Sequence, residues 1–304
     1  MIDEISLAIE AAANELPLIK HRLGEPMKNH TSFKIGGPVR AMFFPESAGD
    51  LTQLHDVLCE YGEEPLIIGN GTNLLVDDKA LDMTVIKTTG LGAIERTGET
   101  EITAGAGVLL SRLAMFAYQQ GLSGLEFAHG IPGSLGGAVT MNAGAYGGEM
   151  KDVIYKTTVF NLITGTYTIK GDEHNFSYRN SKFRSSGEIV LSSVIHLQKA
   201  DKEGIKAKMD ELNAMRREKQ PLELPSAGST FKRPKEGYAA SLIEQAGMKG
   251  YKIGGAQVSE KHSGFIVNQG NASFSDVIKV IEHVRKTVQK QCGIELELEV
   301  EIIT

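Results

Sequence analysis

Glycine is concentrated in one segment of this 304-residue chain, and that segment limits how the chain can fold. Residues 130–148 read GIPGSLGGAVTMNAGAYGG, with seven glycines in nineteen positions. Because glycine has no Cβ and adopts positive φ, successive N–H groups can converge on a phosphate. The alternative is a flexible surface loop, but linkers favour polar residues, and the residues between these glycines are mostly small and apolar. We predict a packed loop that binds phosphate.

Two further glycine pairs follow predicted strands, in GNGTNLLV at 69–76 and GAGVLL at 105–110. Each has two of the three glycines of a dinucleotide-binding fingerprint, which argues against a Rossmann domain. A P-loop is excluded because its Gly-Lys dipeptide is absent. The chain also lacks HExxH, CxxC and GxSxG, so we expect no metal site and no serine hydrolase.

Composition indicates a globular enzyme. Hydrophobic residues make up 41% and charged residues 23%, as in folded domains. The formal net charge of −6 argues against a nucleic-acid partner. The N-terminal segment is acidic, and no apolar stretch approaches the roughly 18 residues of a membrane span, so we expect a cytoplasmic protein without membrane insertion. Cys59 and Cys292 are expected to be reduced and structural.

Hydrophobic periodicity predicts alternating helices and strands, with Ser47 as the N-cap of the second helix. The predicted helices are 3–15, a helix ending at Gly62, Leu109–Gln120, Asp201–Lys219, Tyr238–Ala246 and Phe274–Gln291. The predicted strands are Val39–Phe44, Pro65–Ile68, Thr100–Ala104, Val153–Phe160, Tyr167–Lys170, Ile189–Leu197, one near Ser229, Gly264–Asn268 and Ile294–Ile303. A domain boundary is expected near residue 200.

Three polar features are candidates for chemistry. Arg179 lies in FSYRNSKFR, where it is either a surface residue or a planar cation aimed at a carboxylate or phosphate. Ser229 lies in PSAGSTFKRP, where it is either a turn residue or a hydroxyl facing an anion site. The last predicted strand alternates glutamates with apolar residues, which is also typical of a solvated acidic face.

Six motifs, in order and over nearly the whole chain, resemble the UDP-N-acetylenolpyruvoylglucosamine reductase family of peptidoglycan and cell-wall synthesis. They are NHTSFKIGGPVR, GNGTNLLV, LEFAHGIPGSLGGAVTMNAGAYGGEM, SYRNSKFR, PSAGSTFKRP and EKHSGFIVN. The resemblance implies an α+β fold: a two-part FAD-binding cradle of the vanillyl-alcohol-oxidase (PCMH) type and a C-terminal α+β substrate-binding domain. The implied parts are FAD-binding subdomains at 1–80 and 81–200 and the substrate domain at 201–304.

The resemblance also implies the site residues. Arg179, Ser229 and Glu299 match the family's catalytic residues, and substrate contacts are expected from Lys219, Lys232 and His262. Two glycine loops would bind non-covalent FAD. Their residues are Gly69, Asn70, Gly71, Thr72, Asn73, Gly130, Ile131, Pro132, Gly133, Ser134, Gly136, Gly137, Asn142, Gly144 and Ala145.

The implied reaction is an NADPH-dependent, FAD-mediated reduction of UDP-N-acetylglucosamine-enolpyruvate to UDP-N-acetylmuramate. Many relatives end in Glu-Pro-Glu-Val-Arg, whereas this chain has Glu-Leu-Glu-Val-Glu, so Glu297 stays an alternative to Glu299. Because only 49 residues separate Arg179 from Ser229, the shorter branch without a tyrosine-bearing flap is expected. A monomer is expected.

Two other functions stay open from the sequence. One is another flavin-dependent oxidase on the same cradle, which would react with oxygen. The other is a nucleotide-binding regulator without activity, which the altered C-terminal motif favours. Substrate-dependent consumption of NADPH separates both from the reductase.

Overall fold

A computed structural model describes residues 3–304, and the fold mixes helices with mainly antiparallel strands. This confirms the predicted α+β class. Over this range the α-helices are α1 Glu4–Glu15, α2 Ala48–Glu60, α3 Leu110–Gln119, α4 Leu135–Thr140, α5 Lys202–Lys219, α6 Ala239–Gln245 and α7 Phe274–Cys292. No helix in residues 3–304 is long and apolar enough to span a membrane.

The strands of the same range are short at the termini of the chain and longest in its middle. They are β1 Lys20–Leu23, β2 Val39–Phe44, β3 Leu66–Ile68, β4 Leu74–Val76, β5 Leu81–Lys87, β6 Ile94–Arg96, β7 Glu101–Gly105, β8 Leu122–Ser123, β9 Gly144–Ala145, β10 Gly148–Glu149, β11 Ile154–Asn161, β12 Gly165–Lys170, β13 Ile189–His196, β14 Gln198–Lys199, β15 Lys252–Ile253, β16 Ala256–Val258, β17 Ile266–Asn268 and β18 Glu301–Ile303.

Residue contacts divide the chain into two compact units. Unit 1 comprises the chain up to Gly24, Arg40–Asn70 and Asp82–Met215. Unit 2 comprises Glu25–Val39, Gly71–Leu81 and Arg216–Thr304. The chain therefore enters unit 2 three times, whereas the sequence indicated three consecutive parts with boundaries at 80 and 200. Helix α5 runs across residue 215, so contacts mark no break at 200. The three-part division stays a prediction.

The two larger sheets of unit 1 lie over one apolar core. The first has the strand order β1-β2-β5-β3, and the second has the order β12-β11-β13-β7-β6 with antiparallel neighbours. Phe43 and Leu54 are fully buried beside the first sheet, and Ile102 and Leu110 are fully buried beside the second. Burial of large apolar side chains is the main favourable term in folding. The first sheet includes β5, which lies after the boundary that the sequence predicted at residue 80.

Unit 2 is built around α7. Its inward face buries Val277, Val280, Ile281 and Val284 against the antiparallel sheet β15-β16-β17. The spacing of these residues is that of one helix face. A second pairing, parallel between β18 and β4, ties the end of the chain to the loop that follows Asn70.

Most predicted elements agree with the structure to within two residues, but the predicted strand Ile294–Ile303 is wrong in extent. Only Glu301–Ile303 forms a strand, and before it a single bridge joins Leu298 to Phe231. The predicted strand near Ser229 is likewise reduced to bridges. The two segments pair with each other too briefly for a ladder, because the chain then leaves to pair with β4. Ile302 is 36% exposed, so the predicted apolar face also ends before it.

The predicted N-cap at Ser47 is confirmed as a full capping box. The Ser47 hydroxyl accepts the Asp50 N–H at 3.0 Å, and the Asp50 carboxylate accepts the Ser47 N–H at 3.1 Å. Both bonds satisfy N–H groups that a helix start otherwise leaves open. Helix α2 ends at Glu60, two residues before the predicted end.

We expect Ser47→Ala to lower the free energy of unfolding by about 1 kcal/mol, because the N-cap acceptor is lost. Urea denaturation followed by circular dichroism measures it. Gln53→Ala is the matched control, since Gln53 is exposed in the middle of α2. Equal stability of the two variants would show that the capping box does not stabilise α2.

Candidate active site

Several glycines of the 130–148 segment are required by close packing against the protein itself. A Cβ at Gly136 would lie 2.9 Å from the Ala106 Cβ, and one at Gly148 would lie 2.6 Å from the Phe127 ring. A Cβ at Gly144 would lie 2.6 Å from the Gly148 carbonyl oxygen, inside the hairpin β9–β10. Such contacts cannot be made without displacing backbone or core. These glycines therefore set the shape of the segment.

One place in the segment has the features of an anion site. The Ser134 hydroxyl is buried and has no hydrogen-bond partner. A Cβ at Gly69, in the first glycine loop, would lie 2.2 Å from this oxygen and 3.8 Å from the Gly137 nitrogen. Gly137 itself is exposed. An unpartnered buried hydroxyl is costly, and native proteins seldom keep one without a reason.

Hydrogen bonds hold the two glycine loops of this site together. The Asn70 amide donates to the Pro132 carbonyl at 2.6 Å. The N–H groups of Leu135 and Gly136, at the start of α4, donate to the carbonyls of Val108 and Ala106 at 2.8 Å. These two N–H groups are therefore used by the protein and do not point at a ligand. Ile131, Gly133 and Ala145 lie partly buried in the same loops.

The rest of the first glycine loop belongs to unit 2. Gly71 has φ of +65°, and a Cβ there would lie 2.0 Å from the His30 carbonyl oxygen. The Asn73 amide donates to the Glu299 carbonyl at 3.0 Å, and the Asn73 carbonyl accepts from the Glu301 N–H at 2.9 Å. Thr72 is partly buried. The sequence predicted Asn73 as an FAD contact. In the structure, the hydrogen bond from its side-chain amide fixes the backbone at Glu299.

Arg179 lies in a tight turn of unit 1. Ser177 and Asn180 exchange N–H···O bonds of 3.0 and 3.2 Å across the turn, and Arg179 has φ of +54°. This left-handed conformation is disfavoured for an arginine. Its guanidinium lies over the Tyr178 ring at 5.1 Å and donates to the Gly144 carbonyl at 2.9 Å. A strained, half-buried arginine fixed at two points indicates a functional constraint.

Ser229 lies in unit 2, directly after Gly228, and forms an antiparallel β-bridge with Phe265. Gly228 has φ of +77°, and no atom lies within 4 Å of the position that a Cβ would take. The conformation of the turn, and not crowding, therefore favours glycine here. Ser229 is half-buried, and the next residue, Thr230, is fixed by its N–H donating to the Gly264 carbonyl at 2.8 Å. The serine is thus held in a fixed, accessible position.

Glu299 and Glu297 differ clearly in their surroundings. The Glu299 N–H donates to the Thr230 carbonyl at 2.9 Å, which places its backbone beside the residue that follows Ser229, and Glu299 is half-buried. The Glu297 side chain is 75% exposed and pairs with Lys232 at 3.3 Å. Ion pairs of this kind contribute little. The Glu299 backbone is therefore fixed beside Thr230, whereas the Glu297 side chain extends into solvent.

The other predicted substrate contacts also lie in unit 2. The Gly264 N–H donates to His262 Nδ1 at 3.2 Å, which leaves Nε2 as the protonated nitrogen of a neutral ring. Burial against Phe265 lowers the pKa of His262, which keeps it neutral. Lys219 is exposed at the C-terminal end of α5, where cations favour the helix dipole.

Two of the asparagines predicted to contact FAD make hydrogen bonds within the protein that the sequence did not predict. Asn142 was predicted to contact the cofactor, but it is fully buried with φ of +43°, and its amide makes three bonds within the protein. Asn73 ties the backbone at Glu299, as described above. Asparagine's tolerance of left-handed conformations was a usable signal at Asn142. The bonds to Ser177 and Glu299 could not be found in this way, because they join residues 35 and 226 positions apart.

Comparison with known proteins agrees with this arrangement. Residues 39–170 match the model of an FAD binding domain, and residues 220–303 match that of the UDP-N-acetylenolpyruvoylglucosamine reductase C-terminal domain. The reductase of that name from Caldanaerobacter subterraneus subsp. tengcongensis is 51% identical over 281 residues, covering 92% of this chain and 93% of the relative. The one from Agathobacter rectalis is 47% identical over 307 residues, covering 97% and 98%.

A solved structure extends the agreement to the fold. The crystal structure of UDP-N-acetylenolpyruvylglucosamine reductase from Thermus caldophilus superposes with a TM-score of 0.80 at 34% identity, covering 94% of this chain and 99% of that one. The predicted combination of an FAD-binding part with a C-terminal α+β part is confirmed. The chain belongs to the UDP-N-acetylenolpyruvoylglucosamine reductase family.

Proposed function

We propose that this protein reduces UDP-N-acetylglucosamine-enolpyruvate to UDP-N-acetylmuramate, with FAD as the bound cofactor and NADPH as the reductant. The observation that carries the proposal is family membership over more than nine-tenths of the chain. The alternative oxidase on the same cradle has no comparable support, because the C-terminal part matches the reductase family specifically. The experiment that tests it is anaerobic NADPH oxidation by the purified flavoprotein, which should depend on the enolpyruvyl substrate.

The residues around Ser134 fit FAD. The buried hydroxyl lacks a partner, Gly69 packs against it without a side chain, and the Gly137 nitrogen is close by. A pyrophosphate offers the acceptors that a hydroxyl and an N–H need. We therefore assign the pyrophosphate to the loops around Gly69 and 133–137. When bound, FAD carries hydride from NADPH to the substrate.

Arg179 is proposed to stabilise negative charge on the substrate carboxylate. Addition of hydride at C3 of the enolpyruvyl group leaves charge on C2 and its carboxylate, and a fixed cation lowers the barrier most when it needs no rearrangement. The two contacts of the guanidinium, to the Tyr178 ring and the Gly144 carbonyl, support this role because they restrict it beforehand. Glu299 is proposed to orient or protonate the carboxylate end.

Ser229 is proposed to protonate C2. An alcohol is a weak acid, but the carbon centre it meets is strongly basic, so a positioned hydroxyl is sufficient. Lys219, Lys232 and the Nε2–H of neutral His262 are proposed to bind the substrate, whose diphosphate needs cations and donors. The family role implies a cytoplasmic protein, and we propose a monomer without a membrane or nucleic-acid partner.

We expect Ser134→Ala to weaken FAD binding about 10- to 100-fold, because a hydrogen bond to a charged phosphate contributes ~1.5–3 kcal/mol. The apoprotein should lose no stability, since the hydroxyl has no partner in it. Flavin titration and urea denaturation of the apoprotein measure the two effects. Ser193→Ala is the control: its buried hydroxyl bonds to Thr157 at 3.0 Å, so stability should fall and FAD affinity should not. Unchanged FAD affinity in Ser134→Ala would contradict the assignment.

We expect Ser229→Ala to slow reoxidation of the reduced enzyme by the enolpyruvyl substrate by at least ~100-fold, because the proton donor is lost. Reduction by NADPH should stay nearly intact, since the serine acts only in the second half-reaction. Stopped-flow flavin absorbance measures both steps. Ser241→Ala, at an exposed position on α6, is the control. Equal loss in both half-reactions would assign Ser229 a structural role.

We expect Glu299→Gln to lower the second half-reaction on the order of 100-fold, because a carboxylate acts on the developing charge. Glu297→Gln is the internal control and should have little effect, because Glu297 is exposed and paired with Lys232. The same single-turnover measurement compares them. The reverse ranking would transfer the catalytic role to Glu297.

A further inference from the structure

We propose that Asn142 is a positioning residue for Arg179, acting through the backbone of the turn that carries it. The inference rests on the proposed function, because it gives Arg179 a role in the reaction. It assigns to Asn142 a task different from the cofactor contact that the sequence predicted. All the residues involved lie in unit 1.

Arg179 lies in a strained turn. Ser177 and Asn180 close a four-residue turn in which Arg179 occupies the third position with φ of +54°. Glycine or asparagine is favoured where a turn needs positive φ at this position. An arginine held there costs on the order of 1–3 kcal/mol, so the surroundings must hold the turn in place.

The side chain of Asn142 holds this turn in place. The Ser177 carbonyl, which accepts the Asn180 N–H of the turn, also accepts the Asn142 side-chain N–H at 3.0 Å. The second side-chain N–H of Asn142 donates to the Glu149 carboxylate at 2.8 Å. Its carbonyl accepts the Lys151 N–H at 2.9 Å. Both donors and the oxygen of one buried amide are therefore in use.

The hairpin that binds the Arg179 side chain is also connected to Asn142. Glu149 pairs with Gly144 in the hairpin β9–β10, and the Gly144 carbonyl accepts the Arg179 guanidinium at 2.9 Å. The Asn142 amide thus bonds both to the turn that carries the Arg179 backbone and to the hairpin that receives its side chain. The Asn142 amide therefore fixes the distance between the turn at 177–180 and the hairpin β9–β10.

The chemistry of the amide explains why asparagine is needed. The position is fully buried at φ of +43°, which asparagine tolerates better than most residues. A carboxylate would place a second negative charge beside Glu149 and offer no donor to Ser177. An alanine would remove all three side-chain hydrogen bonds at once.

The experiment is a double-mutant cycle of Asn142→Ala and Arg179→Lys in the flavin-loaded enzyme, with reoxidation by the enolpyruvyl substrate followed in single turnovers. Asn142→Ala should slow this step about 10- to 100-fold, because small displacements of a catalytic group have effects of that size. In the Arg179→Lys background it should add little, since coupled residues are non-additive. Reduction by NADPH should change little in either background.

A second measurement does not use activity. Amide hydrogen exchange of the apoprotein should become faster at 177–180 in Asn142→Ala, because the turn loses its anchor. Thr84→Val is the matched control for loss of a buried hydrogen bond in unit 1. Its hydroxyl is fully buried and donates to Glu63 at 2.7 Å, in the first sheet. It should lower stability without affecting exchange at 177–180 or the second half-reaction.

The outcomes separate the proposals. Additive effects of the two substitutions, or equal slowing of both half-reactions, would overturn the positioning role of Asn142. Loss of FAD with normal rates in the flavin-loaded fraction would overturn it too, in favour of a role in the cofactor loop. If Arg179→Lys itself leaves reoxidation unchanged, the role proposed for Arg179 fails first. If the parent enzyme does not respond to the enolpyruvyl substrate, the proposed function fails.

Discussion

The close approach of neighbouring groups to the glycine backbone along residues 130–148 is the constraint on which the rest of unit 1 depends. Gly136 packs on Ala106, and Gly148 packs on Phe127, at distances that no side chain allows. These contacts bring the Ser134 hydroxyl under Gly69, where it is buried without a partner. The glycines therefore do two different things. Some close the fold, and Gly69 packs on the buried Ser134 hydroxyl, to which we assign the FAD pyrophosphate.

Left-handed conformations outside glycine mark where this packing carries strain. Asn142 and Arg179 both adopt positive φ. A hydrogen bond from the Asn142 side-chain N–H to the Ser177 carbonyl connects Asn142 with the turn that carries Arg179. Each such residue costs free energy that the neighbouring contacts must offset. A strained arginine that is held by a satisfied, buried amide is already restricted before any substrate binds, which is the condition under which a cation stabilises developing charge most effectively.

The fold could be predicted from the sequence where the signal is local. The Ser47 cap and the strand Val39–Phe44 depend on neighbouring residues, and both agree with the structure. The strand predicted to begin at Ile294 does not agree with the structure. Its pairing depends on Phe231 and on β4, which are distant in sequence. The site behaves in the same way. Local composition was enough to predict a phosphate loop around Ser134, and that role stays a prediction, but the bond from Asn142 to Ser177 depends on a partner 35 residues away.

The C-terminal glutamates show how geometry narrows an ambiguity that the sequence leaves open. The chain departs from the usual family ending, and strict alternation treats Glu297 and Glu299 alike. The structure does not, because Glu299 is bonded through its N–H to Thr230 and through its carbonyl to Asn73, whereas Glu297 extends into solvent toward Lys232. A carboxylate whose backbone is held on both sides loses less freedom when it orients a ligand. The altered ending therefore changes the residues around the proposed catalytic carboxylate without removing the contacts that hold it.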